Sequence, residues 1–363
     1  MKAAVMIMAG GTGGHVFPAL AVAHRLRERQ CEVVWVGTQR GLEARVVPAN
    51  GFAIEWLSVS GLRGKGLLTW LLAPWHLTRA LAQALAIVRR RKPSVVLGVG
   101  GFVTGPGGVA AWLMRRPLLI HEQNAIAGLT NRWLARLARE VLEAFPGSFP
   151  ESVRTRCIGN PVRPEISGLP PPEQRFATRT ASVRVRVLVI GGSLGAARLN
   201  ASVPAALALM PRDARPEVWH QAGERGIAAA REAYARAGVE ARVDAFIDDM
   251  AAAYAWADLV ICRAGALTVS ELAAAGLGAI LVPFPAAVDD HQTHNARYLT
   301  DAGAALLIAD RDLEAERLSA ELTRLCADRT TLLEMARRAR SRAMPDATEK
   351  LARAVLAAAG GAS

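Results

Sequence analysis

The sequence has few of the features that stabilise small or secreted proteins. Its 363 residues contain only four cysteines, and aromatic residues make up 5%. Cysteines that lie far apart without a CxxC pair are typical of buried small side chains in a reducing compartment. A chain of this length buries enough apolar surface to fold without disulfides or metal ions, and it suffices for two to three domains.

Long apolar runs are also missing. The most apolar stretch, Leu67–Val88, is interrupted by His76, Arg79 and Gln83, whereas a membrane-spanning helix needs about 18 consecutive apolar residues or more. The amino-terminal run Ala3–Ala9 is followed at once by glycines, so it fits a buried strand better than a signal peptide. We therefore expect a cytoplasmic chain unless another feature tethers it.

Aspartate is absent from residues 1–160, and the whole chain has only four lysines. Residues 1–160 hold 20 basic and 8 acidic side chains, a net charge of +12, whereas residues 161–363 hold 24 of each. This asymmetry indicates a polyanionic partner for the first half, either nucleic acid or an anionic membrane surface. An arginine-rich genome explains it less well, because such a bias would affect both halves.

Short apolar strands alternate with amphipathic helices along the chain, which predicts parallel sheets covered on both faces. Prolines at positions 161, 164 and 170–172 mark a linker, and the pattern restarts with the strand Val185–Ile190. We predict an α/β fold of two doubly wound domains joined near residue 165. Ligands of such sheets bind outside the carboxyl ends of the strands, so we expect a site in the cleft between the domains.

Three glycine loops precede helices: Gly10–His15, Gly98–Gly108 and Gly191–Gly195. A helix amino terminus attracts anions, although glycines also serve tight turns. A dinucleotide fingerprint does not fit the first loop, because its last glycine would fall on Val16 and no carboxylate follows the strand Val33–Val36. No nucleotide-triphosphate P-loop occurs either.

Other catalytic patterns are weak. His291 and His294 are three residues apart but lack a third ligand, so we expect them to be polar cleft or surface residues. Asp310-Arg311-Asp312 matches the D-x-D signature of another class of sugar transferases. Because a helical run begins at Leu313, we expect these aspartates to cap that helix.

A set of ordered motifs closely resembles glycosyltransferase family 28, whose members include the enzymes that convert lipid I to lipid II in peptidoglycan synthesis. The motifs are Gly10–Leu20, His121-Glu122-Gln123-Asn124, Gly159-Asn160-Pro161-Val162-Arg163, Gly191–Ala196 and Cys262–Glu271, and together they span nearly the whole chain. Three positions depart from the usual pattern: Leu194 replaces Gln, Ala264 replaces Ser and Ala286 replaces His.

The resemblance implies a GT-B fold of two Rossmann-like domains. Residues 1–163, with a carboxyl-terminal helix of about 342–363 packing back, would bind the acceptor and the membrane, and residues 164–341 would bind UDP-GlcNAc. It implies lipid I as acceptor, an inverting transfer without cofactor or metal, and no nucleic-acid partner. The chain would be peripheral on the cytoplasmic face of the bacterial inner membrane, with cell-wall synthesis and division proteins as further partners.

The resemblance also implies roles for residues of the second domain. Ile247 would lie beside the uracil, and Glu271 would bind the ribose hydroxyls. Gln292, with Asn295, would read the GlcNAc hydroxyls. The diphosphate would contact Arg163, Ser193 and the helix start formed by Ala266, Leu267, Thr268, Val269 and Ser270.

In the first domain, the resemblance implies that Thr12, Gly13, Gly14 and Asn124 bind substrate, with Gly105–Gly108 as a second candidate for the acceptor diphosphate. We predict that His15 is the general base, because imidazole titrates near neutral pH. Alternatively, His15 only orients the acceptor or binds its phosphate. Glu122 is the second candidate for the base, or it caps a helix.

An acceptor with an undecaprenyl tail requires contact with the membrane. The segment Leu62–Lys92 combines large apolar side chains (Trp70, Leu71, Leu72, Trp75) with cations (Arg63, Lys65, Arg79, Arg89–Lys92), and Trp112 lies beside Arg115-Arg116. Leu77, Leu81, Leu85 and Val88 have the spacing of an ordinary core face, and both interpretations can hold.

Two alternative functions remain at this point. A UDP-GlcNAc 2-epimerase shares the fold and the donor but needs no membrane surface. A basic nucleic-acid-binding protein would use the +12 half, which lacks a known nucleic-acid-binding motif.

Overall fold

A computed structural model describes residues 3–59, 73–179, 184–192, 196–285 and 290–360 of the chain. The chain divides into two compact units. Unit 1 comprises Met1–Val162 and Pro345–Ser363, and unit 2 comprises Arg163–Met344. Within the described ranges, no helix has both the length and the apolar content that crossing a bilayer requires.

Unit 1 is built on a parallel sheet. Its strands are β1 (Ala4–Ala9), β2 (Glu32–Gly37), β3 (Ala53–Trp56), β4 (Val95–Gly100), β5 (Leu118–Glu122), β6 (Glu140–Glu143) and β7 (Thr155–Cys157). They lie in the order β3-β2-β1-β4-β5-β6-β7. The helices between them are α1 (Gly13–Glu28), α2 (Glu43–Ala49), α3 (Ala73–Arg91), α4 (Thr104–Leu113) and α5 (Leu129–Leu134).

The central strands of unit 1 are buried on both faces. Ile7 of β1 pairs with Trp35 of β2 and with Leu97 of β4, and all three side chains are fully buried. Strands that are covered on both faces need continuous apolar runs, which is why β1 and β2 could be predicted from the sequence. Strands β6 and β7 were not predicted, because one is bounded by Glu140 and Glu143 and the other has only three residues.

Unit 2 repeats this architecture. Its strands are β8 (Arg186–Ile190), β9 (Glu217–Gln221), β10 (Arg242–Asp244), β11 (Leu259–Cys262), β12 (Gly278–Leu281) and β13 (Ala305–Leu307), in the order β10-β9-β8-β11-β12-β13. Its helices are α6 (Pro164–Ser167), α7 (Pro172–Ala177), α8 (Ala197–Leu209), α9 (Ile227–Ala237), α10 (Met250–Trp256), α11 (Ala266–Ala275), α12 (His291–Thr300), α13 (Ala315–Ala327) and α14 (Arg329–Ser341). All strand pairs of both sheets are parallel. The prediction of two doubly wound α/β sheets is confirmed.

The proline-rich segment after residue 160 is more ordered than a simple linker. It forms α6 and α7, and the buried Arg175 of α7 donates hydrogen bonds to the carbonyls of Tyr254 (3.2 Å), Ala275 (2.7 Å) and Gly276. These carbonyls lie near the ends of α10 and α11, where helix geometry leaves them without partners. Burial lowers the pKa of Arg175 to about 10, so it keeps its charge at neutral pH.

The capping role expected for the Asp310-Arg311-Asp312 motif is wrong. These residues form a short 3-10 helix, and α13 begins later, at Ala315, without a side-chain cap. Asp310 instead pairs with Arg263 at 2.6 Å, and Arg263 also donates to the carbonyls of Val282 and Pro283. Asp310 therefore helps to hold the loop after β12.

The last helix, α15 (Ala347–Gly360), packs in unit 1 against α1. Leu351, Ala352 and Val355 are buried in the unit 1 core. At the helix start, Glu349 pairs with Arg25 (2.8 Å) and Arg29 of α1, and with Arg353 (2.6 Å) of its own helix. The hydrogen bond from Arg25 contributes most to lowering the pKa of Glu349 to about 2.

We expect Glu349→Gln to weaken the docking of α15 at neutral pH. A carboxyl whose pKa falls on folding contributes stability that is complete above its unfolded pKa of about 4.5, and that is lost as the pH falls toward about 2. The three arginines are partly exposed and solvent screens the pairs, so we expect a melting temperature about 2–4 °C lower at pH 7. The difference from wild type should shrink between pH 5 and pH 3 in thermal unfolding.

Glu28→Gln is the matched control, because Glu28 pairs with Arg25 at 2.8 Å within α1 and is 61% exposed. It should change the melting temperature by less than Glu349→Gln does. A Glu349→Gln difference that stays constant with pH would show that the charge of Glu349 does not hold α15.

Candidate active site

The carboxyl end of β1 leads into a glycine turn that opens α1. Gly11 has a φ of +93°, which favours glycine, and α1 begins at Gly13. Thr12 precedes the helix without a side-chain cap, and among the described residues the N–H groups of Gly13 and Gly14 have no hydrogen-bond acceptor. Open N–H groups at a helix amino terminus are suited to binding an anion. The predicted roles of Thr12, Gly13 and Gly14 are consistent with this geometry.

A buried carboxylate that was not predicted from the sequence, Glu43, holds the glycine turn before α1 by hydrogen bonds. Glu43 of α2 is fully buried and accepts hydrogen bonds from the N–H groups of Gly11 (2.9 Å) and Thr38 (2.9 Å) and from the Thr38 hydroxyl (2.8 Å). A Cβ atom at Gly10 or Gly41 would lie within 2.7 Å of its carboxylate oxygens. These glycines therefore make room for Glu43, a role that their local sequence did not reveal.

His15, the predicted base, lies in the first turn of α1 beside the ends of β4 and β5. Its Nδ1 is 2.7 Å from Oε1 of Gln123. Gly100 has a φ of +130°, and a Cβ atom there would come within 2.7 Å of the imidazole. The ring thus occupies space that only glycine leaves open, and Gln123 is a second contact that the motif did not explain.

Glu122, the second candidate for the base, is almost fully buried and its two oxygens are engaged. Oε1 accepts from the N–H (3.0 Å) and the side-chain amide (3.2 Å) of Asn124, and Oε2 accepts from the N–H of Gly128 (3.1 Å) and from Asn131 (2.9 Å). Gly128 is the residue before α5. These four bonds favour the alternative in which Glu122 holds the start of this helix and orients Asn124.

The glycines near the start of α4 serve packing at two positions. A Cβ atom at Gly107 would lie 2.1 Å from the sulfur of Met8, and one at Gly108 would lie 2.7 Å from Leu134. Close helix–sheet approach therefore explains Gly107 and Gly108 without a ligand. Gly105 has no such close neighbour, and its predicted role stays a prediction.

The glycine loop after β8 is described in part. Gly192 has a φ of +78°, and its N–H donates to the side-chain oxygen of Gln221 at 3.3 Å. Ser193 lies outside the described residues, as do Leu194, Gly195 and Ala286. The predicted contact of Ser193 with a diphosphate therefore stays a prediction.

The start of α11 has no side-chain cap, and the predicted phosphate contact there stays a prediction. Gly265 precedes the helix without a side-chain cap, and the first intrahelical acceptor, the Gly265 carbonyl, is used by the N–H of Val269. The N–H groups of Ala266, Leu267 and Thr268 thus point out of the helix end. The Val269 side chain is buried, and the Ser270 hydroxyl donates to the Ala266 carbonyl at 2.9 Å, so both support the helix.

Arg163 and Glu271, assigned to different parts of the donor, form an ion pair in unit 2. Nη2 of Arg163 lies 2.9 Å from Oε1 of Glu271, and the Tyr254 hydroxyl donates to Oε2 at 3.1 Å. The Glu271 side chain is 7% exposed and that of Arg163 is 44% exposed. Burial raises the pKa of Glu271, and Arg163 opposes this shift. Tyr254 was not predicted, because it lies on another helix and no motif contains it.

Of the other predicted donor contacts in unit 2, one lies in a loop and two lie in helix α12. Ile247 is buried in the turn between β10 and α10. Gln292 accepts the N–H of Phe284 at 2.9 Å, and the fully buried Asn295 donates to the Ala264 carbonyl at 3.2 Å. Both side chains therefore fix α12 against the loops after β11 and β12. Within the described ranges, no group of three or more His, Cys, Asp or Glu side chains could hold a metal ion.

Comparisons with known proteins identify the family. Residues 5–143 match the glycosyltransferase family 28 N-terminal domain, and residues 186–351 match the family 28 C-terminal domain. Two relatives named UDP-N-acetylglucosamine--N-acetylmuramyl-(pentapeptide) pyrophosphoryl-undecaprenol N-acetylglucosamine transferase are similar over nearly their whole length. The protein from Marinobacter nauticus is 58% identical over 98% of both chains, and that from Alkalilimnicola ehrlichii is 59% identical over 98% of this chain and 99% of its own.

Solved structures give the same result. Acinetobacter baumannii MurG has a TM-score of 0.86 and 40% identity, over 98% of this chain and 100% of its own. A UDP-GlcNAc 2-epimerase from Neisseria meningitidis has a TM-score of 0.67 with 13% identity, over 98% of this chain and 100% of its own, which shows a shared fold alone. The resemblance and the GT-B fold predicted from the ordered motifs are confirmed.

Proposed function

Because the chain belongs to glycosyltransferase family 28, we propose that it transfers GlcNAc from UDP-GlcNAc to the MurNAc C4 hydroxyl of undecaprenyl-diphospho-MurNAc-pentapeptide (lipid I), giving lipid II. The observation that carries this proposal is the 58–59% identity to transferases of that name over nearly the whole chain. The product belongs to peptidoglycan synthesis, and through it to cell shape and division.

The reaction is a single displacement that inverts the anomeric centre. The C4 oxygen of the acceptor forms a bond to C1 of GlcNAc while the bond from C1 to the UDP oxygen breaks. His15 accepts the proton of the C4 hydroxyl, and UDP leaves with the electron pair of the broken bond. The negative charge that develops on UDP needs prearranged donors, and the open N–H groups at the start of α11 are suited to this task.

Unit 1 is proposed to bind the acceptor and unit 2 the donor. In unit 1, the N–H groups of Gly13 and Gly14 would contact a phosphate, with Thr12 and Asn124 beside them. In unit 2, Glu271 would accept the ribose hydroxyls, since a carboxylate accepts two O–H donors together. Arg163 would stay paired with Glu271 on one side and offer its remaining N–H groups to the diphosphate.

The transfer is tested with labelled UDP-GlcNAc and a soluble lipid I analogue. The expected result is a labelled disaccharide on the lipid, whose amount grows with time and protein. Formation of free ManNAc without a disaccharide would overturn the proposal and identify a UDP-GlcNAc 2-epimerase, the other candidate that shares the fold.

Unit 1 is also proposed to bind the cytoplasmic face of the inner membrane as a peripheral protein. Trp75 and Leu77 of α3 are 66% and 51% exposed, and Trp112 of α4 is 50% exposed. The Leu77 side chain is thus outside the core face that its spacing suggested, whereas Val88 lies within it. Arg90 and Arg91 pair with Glu55, whereas the exposed Arg89 and Lys92 of this turn have no ion pair among the described residues and are the cations offered to lipid. The segment before residue 73, with Arg63, Lys65, Trp70, Leu71 and Leu72, lies outside the described residues.

We expect the double variant Trp75→Glu with Arg89→Glu to bind anionic vesicles at least about 30-fold more weakly. Each basic residue near anionic lipid contributes roughly 1 kcal/mol, so the charge reversal at Arg89 alone gives about 30-fold, and the lost Trp75 ring adds to it. Vesicle flotation measures the binding, and UDP-GlcNAc affinity should stay the same. The control is Leu209→Glu with Arg212→Glu in unit 2, which makes the same charge change at exposed positions. Equal losses in both double variants would argue against a membrane surface on α3.

A further inference from the structure

We infer that Gln123 is a positioning residue that holds the His15 imidazole as its Nδ1–H tautomer and thereby leaves the Nε2 lone pair to accept a proton. The inference rests on the proposed role of His15 as the base. It concerns a different question, because a neutral imidazole can act as a base only through the nitrogen that carries no hydrogen. Which nitrogen that is follows from the hydrogen bonds around the ring.

A backbone carbonyl determines the orientation of the Gln123 amide. Its nitrogen lies 2.8 Å from the backbone carbonyl oxygen of His121. A carbonyl oxygen only accepts, so the NH2 group must face it and the amide oxygen must face the other way. That oxygen lies 2.7 Å from Nδ1 of His15. Because the amide oxygen also only accepts, the hydrogen of the neutral imidazole is on Nδ1.

The hydrogen bonds of the His121 ring independently require the same orientation of the Gln123 amide. Nε2 of His121 lies 3.0 Å from the carbonyl oxygen of Gly159 and must therefore carry the hydrogen. Its Nδ1 is then an acceptor, and it lies 3.0 Å from the Gln123 amide nitrogen. Burial lowers the pKa of His121 to about 4, so the ring stays neutral near pH 7. The backbone carbonyls of His121 and Gly159 thus determine which atom donates in each of these hydrogen bonds.

The chain of hydrogen bonds is rigid. Gln123 is 1% exposed and His121 is fully buried. The backbone carbonyl of Gln123 accepts a hydrogen bond from the side-chain amide of Asn160 at 3.0 Å. On the other side, Gly100 leaves room for the His15 ring, since a Cβ atom there would lie 2.7 Å from it. A water molecule cannot replace so buried an amide without opening these contacts.

Among the described residues, no charged side chain is hydrogen-bonded to Nδ1 of His15. His121 on β5 is neutral, Glu122 on the same strand is engaged by Asn124, Gly128 and Asn131, and Glu43 on α2 is engaged by Gly11 and Thr38. From β4, the ring meets Gly100. The partner of Nδ1 is therefore a neutral amide rather than a carboxylate. It selects the tautomer without the strong stabilisation of imidazolium that an anion would give.

The direct test is nitrogen-15 NMR of the full chain with labelled histidine. The His15 signals are assigned by their loss in His15→Asn. For the neutral imidazole of the wild type we expect a protonated Nδ1 and an unprotonated Nε2, and in Gln123→Met a mixture of both tautomers. A neutral wild-type ring with its hydrogen on Nε2 would overturn the inference, and this measurement needs no folded Gln123 variant.

Kinetics provide a second test. We expect Gln123→Met to lower kcat about tenfold with an unchanged KM for UDP-GlcNAc, because one hydrogen bond that selects the tautomer is lost. Gln123→Glu should recover part of kcat and move the acidic limb of its pH profile up by about one pH unit or more, because an anion beside Nδ1 favours imidazolium. The exposed Gln174→Met is the matched control and should change neither kcat nor this limb.

The outcomes separate this inference from the proposed function. An acidic limb that does not move in Gln123→Glu, together with wild-type kcat in Gln123→Met, would overturn the positioning role. If NMR shows the expected tautomer while His15→Asn keeps full activity, the tautomer assignment stands and the base role of His15 fails.

Discussion

Replacing His15 by alanine is expected to lower kcat by about a thousandfold, within the range that general-base catalysis contributes. The ring lies between Gly100 and Gln123, and its loss removes the group proposed to accept the C4 proton. The affinity for UDP-GlcNAc should stay within about twofold, since the donor is proposed to bind residues of unit 2. Steady-state kinetics with a lipid I analogue measure both quantities.

His15→Asn separates the base from a merely orienting residue. The asparagine amide can still donate to the Gln123 oxygen, but it has no basic nitrogen. We expect His15→Asn to be as slow as His15→Ala and to lack the acidic limb of the pH profile. If it keeps more than about a tenth of the activity, His15 only orients the acceptor, and Glu122→Gln becomes the next variant to measure.

Replacing Glu271 by glutamine is expected to raise the KM for UDP-GlcNAc about 10- to 100-fold with a small effect on kcat. Hydrogen bonds to a charged group contribute roughly 1.5–3 kcal/mol, and the carboxylate is proposed to accept from the ribose. The side chain is buried between Arg163 and Tyr254. Since Arg163 is 44% exposed, solvent can hydrate it in this variant, so the fold should be retained.

A donor with 2′-deoxyribose makes this prediction specific. In the wild type, loss of the 2′-hydroxyl should weaken binding of the donor. In Glu271→Gln the same loss should weaken binding much less, because the carboxylate that accepts from this hydroxyl has already been replaced. Tyr254→Phe is the control, since it removes one hydrogen bond to Oε2 and keeps the ion pair. Equal losses for the deoxy donor in wild type and Glu271→Gln would mean that Glu271 supports the fold and does not contact the ribose.

Much of the candidate site could be predicted because its parts are local. The loops Gly10–His15 and Gly191–Gly195 each follow an apolar strand and open a helix, and this sequence of elements creates a helix amino terminus at a sheet edge. The start of α11 follows the same rule. The repeated strand–loop–helix pattern also predicted two doubly wound sheets, because parallel strands covered on both faces require continuous apolar runs.

The partners of the buried polar groups could not be predicted in this way. Glu43 lies 32 residues from Gly11, and Gln123 lies 108 residues from His15. Nothing local distinguishes these side chains from exposed ones, since glutamate and glutamine are mostly surface residues. The capping role expected for Asp310 failed for the same reason, because its partner Arg263 is 47 residues away.

The sequence by itself therefore determined the architecture, the family and the glycine loops that precede helices, together with a basic first half of net charge +12. The tertiary structure decided which side chains meet, because the order β3-β2-β1-β4-β5 brings the ends of β1, β4 and β5 to one edge. Only there do His15, Gln123 and His121 form one line of hydrogen bonds. Strand order depends on the packing of the whole sheet, and the local pattern of apolar residues does not specify it.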